Sequence, residues 1–160
     1  METVSIKKKD AVKAYNNADA SGKKLLMDLI GEDQLPLNIM DRIKTVEDAC
    51  FEVGVNEADI DLNISTETFG DRAEALRAIA KLMVIAKALN EGWVPDWNNP
   101  NQYKWFPWFE SNGSGFRFYD SFCASTCTDS SGGSRLCFKD KKLAEYAGKQ
   151  FIDLYNQSLK

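Results

Sequence analysis

The chain has 160 residues, the length of one ordinary domain, and its 44% hydrophobic and 28% charged residues are typical of a folded globular protein. Its net charge of −4 argues against a nucleic-acid surface, because residues 1–92 carry 12 Lys and Arg against 17 Asp and Glu, and residues 93–160 carry 8 against 7. The absence of histidine removes the commonest general base and the commonest metal ligand. The composition therefore disfavours both nucleic acid and a histidine-held metal.

The sequence has no secretory signal and no membrane span that we can recognise. Its longest apolar stretch, around Leu82–Ala86, is bounded by Lys81 and Lys87. That stretch is far shorter than the roughly 18 residues that a membrane helix needs. We therefore expect a soluble, intracellular protein with no membrane partner.

Residues 1–54 predict two helices. Asp10–Ile30 has apolar residues at helical spacing, with Ser21-Gly22 as a point where the helix bends or splits and Gly31 as its end. A short connection containing Pro36 follows. Thr45 and the acidic Asp48 three residues later form the pattern of a capping box, which predicts a short helix that ends at Gly54.

Residues 55–92 predict the longest helix of the chain. Val55–Gly70 is acidic and poorly periodic, so we expect an irregular connection or one further turn of helix there. Asp71 then begins a strongly periodic helix that ends at Gly92. Its apolar stripe is so wide that it predicts burial on more than one side.

The residues that follow Gly92 are rich in turns and aromatic side chains. All four tryptophans lie between Trp93 and Trp108, and residues 93–122 hold seven of the fourteen Phe and Tyr residues. Short aromatic runs predict three strands, which are Tyr103–Phe109, Gly115–Phe122 and Arg135–Phe138. The turns that would join them are Asn112–Gly115 and Thr128–Ser134.

A closing amphipathic helix is predicted at Asp140–Ser158. The predicted fold class is therefore α+β, with N-terminal helices packed on a three-stranded antiparallel meander that the closing helix covers. Residues 1–92 would form a mainly helical lobe and residues 93–160 an aromatic-rich lobe. We expect the two lobes to make one integrated domain.

Four segments resemble a family of small proteins from gut Bacteroidales that has no assigned activity and often accompanies phage or prophage material. They are DRIKTVEDACFEVGV, KALNEGWVPDW, YKWFPWF and GSRLCFKDKKLAEYAGKQFIDLY. The resemblance covers most of residues 10–158 and is strongest from Lys87 onward. It implies a phage or mobile-element setting, and it supplies no cofactor and no catalytic residue.

The aromatic residues are the best candidates for a functional site. We predict a non-enzymatic binding or interaction protein that contacts a protein or a small ligand through an aromatic surface. The predicted contact residues are Trp93, Trp97, Tyr103, Trp105 and Trp108, with Arg117 and Arg135 orienting the partner. Phe116, Phe118 and Tyr119 of the second strand are candidates to line the same groove. The alternative for all of these aromatics is packing between the two lobes.

Two other functions fit the sequence. A hydrolase could use paired carboxylates, such as Asp96 with Glu110, or a cysteine in a cleft beside the sheet. A structural subunit of a virion or assembly would instead use a symmetric apolar interface.

A metal site is a further alternative. It would use Cys123, Cys127 and Cys137 with Asp120 or Asp129, although the cysteine spacing matches no zinc motif. We assign no catalytic residue, no cofactor and no oligomeric state from the sequence.

Overall fold

The computed structural model describes residues 5–31, 35, 38–128 and 135–159, apart from the side chains of Lys9 and Leu62. The chain divides into two compact units, Met1–Arg42 and Ile43–Lys160. The predicted junction between residues 92 and 93 therefore falls within the second unit.

The first unit contains the helices α1 (Lys8–Asn17), α2 (Ala20–Ile30) and α3 (Ile39–Arg42). The helix predicted at Asp10–Ile30 is divided at Ala18 and Asp19 rather than at Ser21-Gly22. Asp19 is the reason, because its carboxylate accepts a hydrogen bond of 2.8 Å from the amide of Gly22 and so caps α2. Gly31, with φ of 87°, ends α2 as predicted. The predicted connection runs from Pro36 through Leu-Asn-Ile-Met; its residues 36 and 37 lie outside the described residues, whereas Ile39 and Met40 begin α3 and are helical.

The second unit begins with α4 (Val46–Val53), which confirms the predicted capping box. The Thr45 hydroxyl accepts a hydrogen bond from the Asp48 amide, and the Asp48 carboxylate accepts one from the Thr45 amide, each 3.1 Å long. Gly54 ends α4 in the left-handed conformation, with φ of 72°. The local sequence alone therefore determines where this helix begins and ends.

Two short helices, α5 (Glu57–Asn63) and α6 (Thr66–Phe69), replace the irregular connection predicted at Val55–Gly70. Their starts carry side-chain caps, because Asn56 accepts from the Ala58 amide and Ser65 accepts from the Thr68 amide. Helices this short show little apolar periodicity, so a periodicity argument misses them.

The longest described helix is α7 (Ala73–Leu89), which follows a single 3-10 turn at Gly70–Arg72. Its Leu82, Ile85 and Leu89 side chains are fully buried. Helix α7 packs against α4 and against the C-terminal helix α9 (Ile152–Ser158), which confirms that it is buried on more than one side. None of the helices in the described ranges is both long and apolar enough to cross a membrane.

An antiparallel pair of strands follows, β1 (Lys104–Ser111) and β2 (Phe116–Ala124). The predicted turn joins them, and the Asn112 side chain accepts hydrogen bonds from the amides of Ser114 and Gly115 at 3.2 and 3.0 Å. The register shifts between Trp108 and Phe109, where β2 holds one extra residue. This bulge changes the facing of the side chains that follow it.

The predicted three-stranded meander is only partly present, because the described residues form two strands. At the predicted third strand, Phe138 alone bridges to Trp105, with reciprocal hydrogen bonds of 2.9 and 2.8 Å. The next hydrogen-bonded pair along this ladder would join Pro107 to Leu136 and would require an N–H group that proline lacks. Pro107 therefore ends the third pairing after one bridge. Residues 129–134 of the predicted second turn lie outside the described residues.

The predicted closing helix consists of two helices, α8 (Lys141–Gln150) and α9, which meet at the buried Phe151. Asp140 caps α8 by accepting a 3.0 Å hydrogen bond from the Leu143 amide. Helix α8 packs on both strands, and its Gly148 lies so close to them that an added Cβ would approach Phe118 to 2.6 Å and Pro107 to 2.8 Å. The α+β fold class is confirmed, with α8 covering one face of a two-stranded sheet.

Candidate functional site

The structure does not bring all of the predicted binding residues together. Trp93 and Trp97 lie in the segment before β1, Trp105 pairs with Phe138, and the exposed Tyr103 directly precedes β1. The other predicted contact residue of β1 is Trp108, which is 54% exposed.

Lys104 is a fully buried lysine at the start of β1. Its ammonium group donates hydrogen bonds to the backbone carbonyls of Asp96, Gln102 and Ser125. The ammonium nitrogen also lies 5.1 Å from the centre of the Trp97 ring, which is within cation–π range. Lys104 therefore joins the segment before β1 to the segment after β2 and is not available to a ligand.

The two predicted arginines also lie apart from a common site. Arg117 forms an exposed ion pair of 2.6 Å with Glu110 across the two strands. Arg135 is exposed at the start of the segment that leads to Phe138. Neither arginine lines the cavity described next.

A cavity of about 530 Å³ lies along β1, and we call it the aromatic groove. It receives side chains from α7, β1, β2, α9 and the segments next to residues 129–134. Its lining residues are Ile79, Phe106, Pro107, Trp108, Phe109, Phe116, Phe122, Ala124, Cys127, Thr128, Leu136, Tyr155, Ser158 and Leu159. None of these side chains is charged.

The aromatic groove has an exposed rim and a less exposed inner part. Trp108 and Phe122 form the rim, because they are 54% and 55% exposed and their ring centres lie 6.0 Å apart. The buried Tyr155 and the half-buried Phe109 form the inner part, with ring centres 4.6 Å apart. A ligand can therefore enter past solvent-exposed rings and contact less exposed ones.

Pro107 explains why the groove is open. Beyond the single bridge at Trp105, no described strand pairs with the outer edge of β1. Pro107 and Leu136, which would have formed the next pair, both line the groove instead. The same residue that ends the predicted third strand thus leaves space beside β1.

Tyr155 is the most buried aromatic residue of the groove, with 5% of its surface exposed. Burial raises the pKa of its phenol well above the ordinary value, so the hydroxyl remains protonated at neutral pH. Within the described part of the chain, this hydroxyl forms no hydrogen bond. The groove therefore contains a protonated donor group in apolar surroundings.

Of the carboxylates and cysteines of the predicted hydrolase, Cys127 lines the groove, whereas Asp96, Glu110 and Cys137 do not. Glu110 pairs with Arg117, the Asp96 carboxylate accepts a hydrogen bond from the Asn98 amide, and neither residue lines the cavity. Burial raises the pKa of the Cys137 thiol to about 11, which disfavours the nucleophilic thiolate.

The predicted metal site receives no support from the described residues. Among them, no group of three His, Cys, Asp or Glu side chains lies close enough to hold a metal ion. Cys123 is partly exposed, Cys127 is exposed at the groove and Cys137 is buried. Asp129, one of the candidate fourth ligands, lies outside the described residues.

The sequence prediction found part of the groove. Trp108 and Phe116 are candidate residues from the sequence that line it, whereas Ile79, Leu136 and Tyr155 were missed. The apolar face of the closing helix was a signal for Tyr155, but that face predicts core packing equally well.

Comparisons of the chain with protein-family models, with curated proteins and with solved structures give no match. The resemblance to a phage-associated family therefore remains a prediction, and the functional argument depends on the aromatic groove.

Proposed function

We propose that the protein is a non-enzymatic binding protein that holds a small apolar ligand in the aromatic groove. The observation that carries this proposal is a cavity of about 530 Å³ whose fourteen described lining side chains are uncharged, six of them aromatic. Its volume falls within the range of about 300–1,000 Å³ that is typical of small-molecule sites. The binding surface is therefore centred on Trp108 and Phe122 and extends inward to Phe109, rather than outward to Trp93 and Trp97.

The lining limits the charge of the ligand. An ionised group buried in this groove would lose its hydration and meet no opposite charge, which is strongly unfavourable. An aromatic or aliphatic molecule that buries roughly 200 Å² of apolar surface would gain about 5 kcal/mol before the cost of association. Since about 5 kcal/mol corresponds to a dissociation constant of about 0.2 mM, we expect dissociation constants of roughly 0.2 mM or weaker for molecules that bury only this area.

The setting of this function is part of the proposal. The four segments that resemble a Bacteroidales family favour a phage or prophage protein that acts in the host-cell cytoplasm or in the virion. The bound ligand would then be a small molecule of the infected cell or an apolar group of a partner protein.

A titration with N-phenyl-1-naphthylamine, a neutral dye whose fluorescence rises in apolar surroundings, tests the groove. We expect binding of one dye per chain to the parent and about tenfold weaker binding to Trp108→Ala. Tyr103→Ala is the matched control, because Tyr103 is 57% exposed, similar to Trp108, but lies outside the groove. Its affinity should equal that of the parent.

Circular dichroism of both variants establishes that they are folded before their affinities are compared. Equal losses of dye binding in Trp108→Ala and Tyr103→Ala would show that the dye binds elsewhere. If a folded parent binds no dye and instead forms a dimer that Trp108→Ala abolishes in sedimentation, the exposed rim is a subunit interface and the ligand-binding proposal is wrong.

A further inference from the structure

The Tyr155 side chain is 5% exposed, and its hydroxyl, which forms no hydrogen bond with a described residue, is not fully shielded from solvent. More than about nine-tenths of buried polar groups in proteins have a hydrogen-bond partner, and buried tyrosine hydroxyls usually have one. The ring of Tyr155 packs on Phe109, and the residue lines the aromatic groove. The ligand-binding space is therefore where a partner for this hydroxyl would lie.

Another polar residue of α9 that lines the groove, Ser158, is already engaged. Ser158, which also lines the groove, donates its hydroxyl to the backbone carbonyl of Tyr155 in a 2.8 Å hydrogen bond. The Ser158 hydroxyl thus donates to a helix carbonyl one turn away and not to the phenol oxygen of Tyr155. The Tyr155 hydroxyl is left to interact with a molecule in the groove.

We infer that the ligand is an uncharged apolar molecule with one buried hydrogen-bond acceptor, such as a ketone, ester or ether oxygen, which accepts a hydrogen bond from the Tyr155 hydroxyl. This inference rests on the proposed function and adds the chemical class of the ligand to it. A carboxylate is disfavoured, because no lining side chain carries a positive charge to compensate it. A pure hydrocarbon is disfavoured, because it would leave the phenol without a partner.

Two probes of nearly equal shape test this inference, 2-acetylnaphthalene and 2-isopropylnaphthalene. They differ in that a carbonyl oxygen of the first replaces a methyl group of the second. Their affinities are measured by displacement of N-phenyl-1-naphthylamine from the parent and from Tyr155→Phe, which retains the ring and loses the hydroxyl. Tyr103→Phe is the matched control, since it removes an exposed hydroxyl outside the groove.

We expect Tyr155→Phe to bind 2-acetylnaphthalene about three- to tenfold more weakly than the parent does, as the loss of one hydrogen bond requires. Binding of 2-isopropylnaphthalene should be unchanged or stronger in Tyr155→Phe, because this probe then leaves no phenol without a partner, and Tyr103→Phe should bind both probes as the parent does. The anion 2-naphthoate should bind the parent at least tenfold more weakly than the ketone.

An infrared measurement gives a second readout that does not depend on affinity. The carbonyl stretching band of bound 2-acetylnaphthalene should lie at lower wavenumber in the parent than in Tyr155→Phe, because a hydrogen bond weakens the C=O bond. If Tyr155→Phe fails to fold, the band in the parent is compared with that of the ketone in cyclohexane, and an unshifted band overturns the inference.

The outcomes separate the two proposals. If neither naphthalene displaces the dye and the dye itself does not bind, the proposed function is wrong. If both naphthalenes bind and Tyr155→Phe changes their affinities equally, the groove binds apolar molecules but Tyr155 does not select an acceptor, and the inference alone is overturned.

Discussion

Replacing Lys104 by methionine tests how the two segments that flank the sheet are held together. The variant keeps a long apolar side chain in a fully buried site and removes the ammonium group. Three backbone carbonyls, those of Asp96, Gln102 and Ser125, then lose their common donor. We expect a folded protein of clearly lower stability.

The size of this loss in the free energy of unfolding follows from two opposing effects. An unpaired buried acceptor costs about 1–3 kcal/mol, and three carbonyls are affected. The variant also avoids the cost of burying an ammonium group, which is several kcal/mol, and water can partly rehydrate carbonyls in surface segments. We expect a net loss of about 3 kcal/mol in the free energy of unfolding.

Urea unfolding followed by circular dichroism measures this loss. With a slope of about 1.5–2 kcal/mol per molar, the midpoint should fall by roughly 1.5–2 M. Lys142→Met, at an exposed position of α8, is the matched control and should change stability by less than about 0.5 kcal/mol. If Lys104→Met unfolds at the same urea concentration as this control, the buried ammonium does not hold the two segments, and the argument is wrong.

Two further predictions concern close packing and pH. Gly148→Ala should destabilise the protein by about 1–2 kcal/mol in urea unfolding, because the new Cβ would approach Phe118 to 2.6 Å, and this clash outweighs the better helix propensity of alanine. Burial raises the pKa of Cys137 from 9.0 to about 11, so the unfolded thiol ionises first as the pH rises and stability falls through this range. Between pH 8.5 and 10.5 the parent should lose about 1–2 kcal/mol more than Cys137→Ala does.

Each of these predictions has a contradicting result. For Gly148→Ala, the double variant with Phe118→Leu should recover part of the loss, and an unchanged or raised midpoint in the single variant would show that the helix moves away without cost. For Cys137, the free energy of unfolding is plotted against pH for the parent and for Cys137→Ala. Parallel curves above pH 8.5 would show that the thiol has the same pKa in the folded and the unfolded protein.

The features that could be predicted from the sequence are those determined by neighbouring residues. Thr45 and Asp48 cap α4 within one turn, and Asn112 closes the hairpin by accepting from amides two and three residues away. The wide apolar stripe of α7 likewise predicted its burial on more than one side, and α4 and α9 both pack against it. Such features depend on spacing along the chain, and spacing is visible in the sequence.

The features that could not be predicted depend on distant parts of the chain. The burial of Lys104 requires the carbonyl of Ser125, 21 residues later, to reach its ammonium group. That Pro107 ends the pairing of a third strand becomes evident only once the residue that would have paired with it, Leu136, is known. The groove itself needs Tyr155 to approach Phe109 from another element, and no local pattern in the chain encodes that distance.

Pro107 also affects how the protein behaves at high concentration. An uncovered strand edge is a template onto which a strand of another molecule can add, which leads to aggregation. Proline interrupts the row of donors on the outer edge of β1, and the bulge beside Trp108 twists the same stretch away from a flat geometry. The sheet can therefore leave space for a ligand beside β1, while the outer edge of β1 remains a poor template for strand pairing with another copy of the chain.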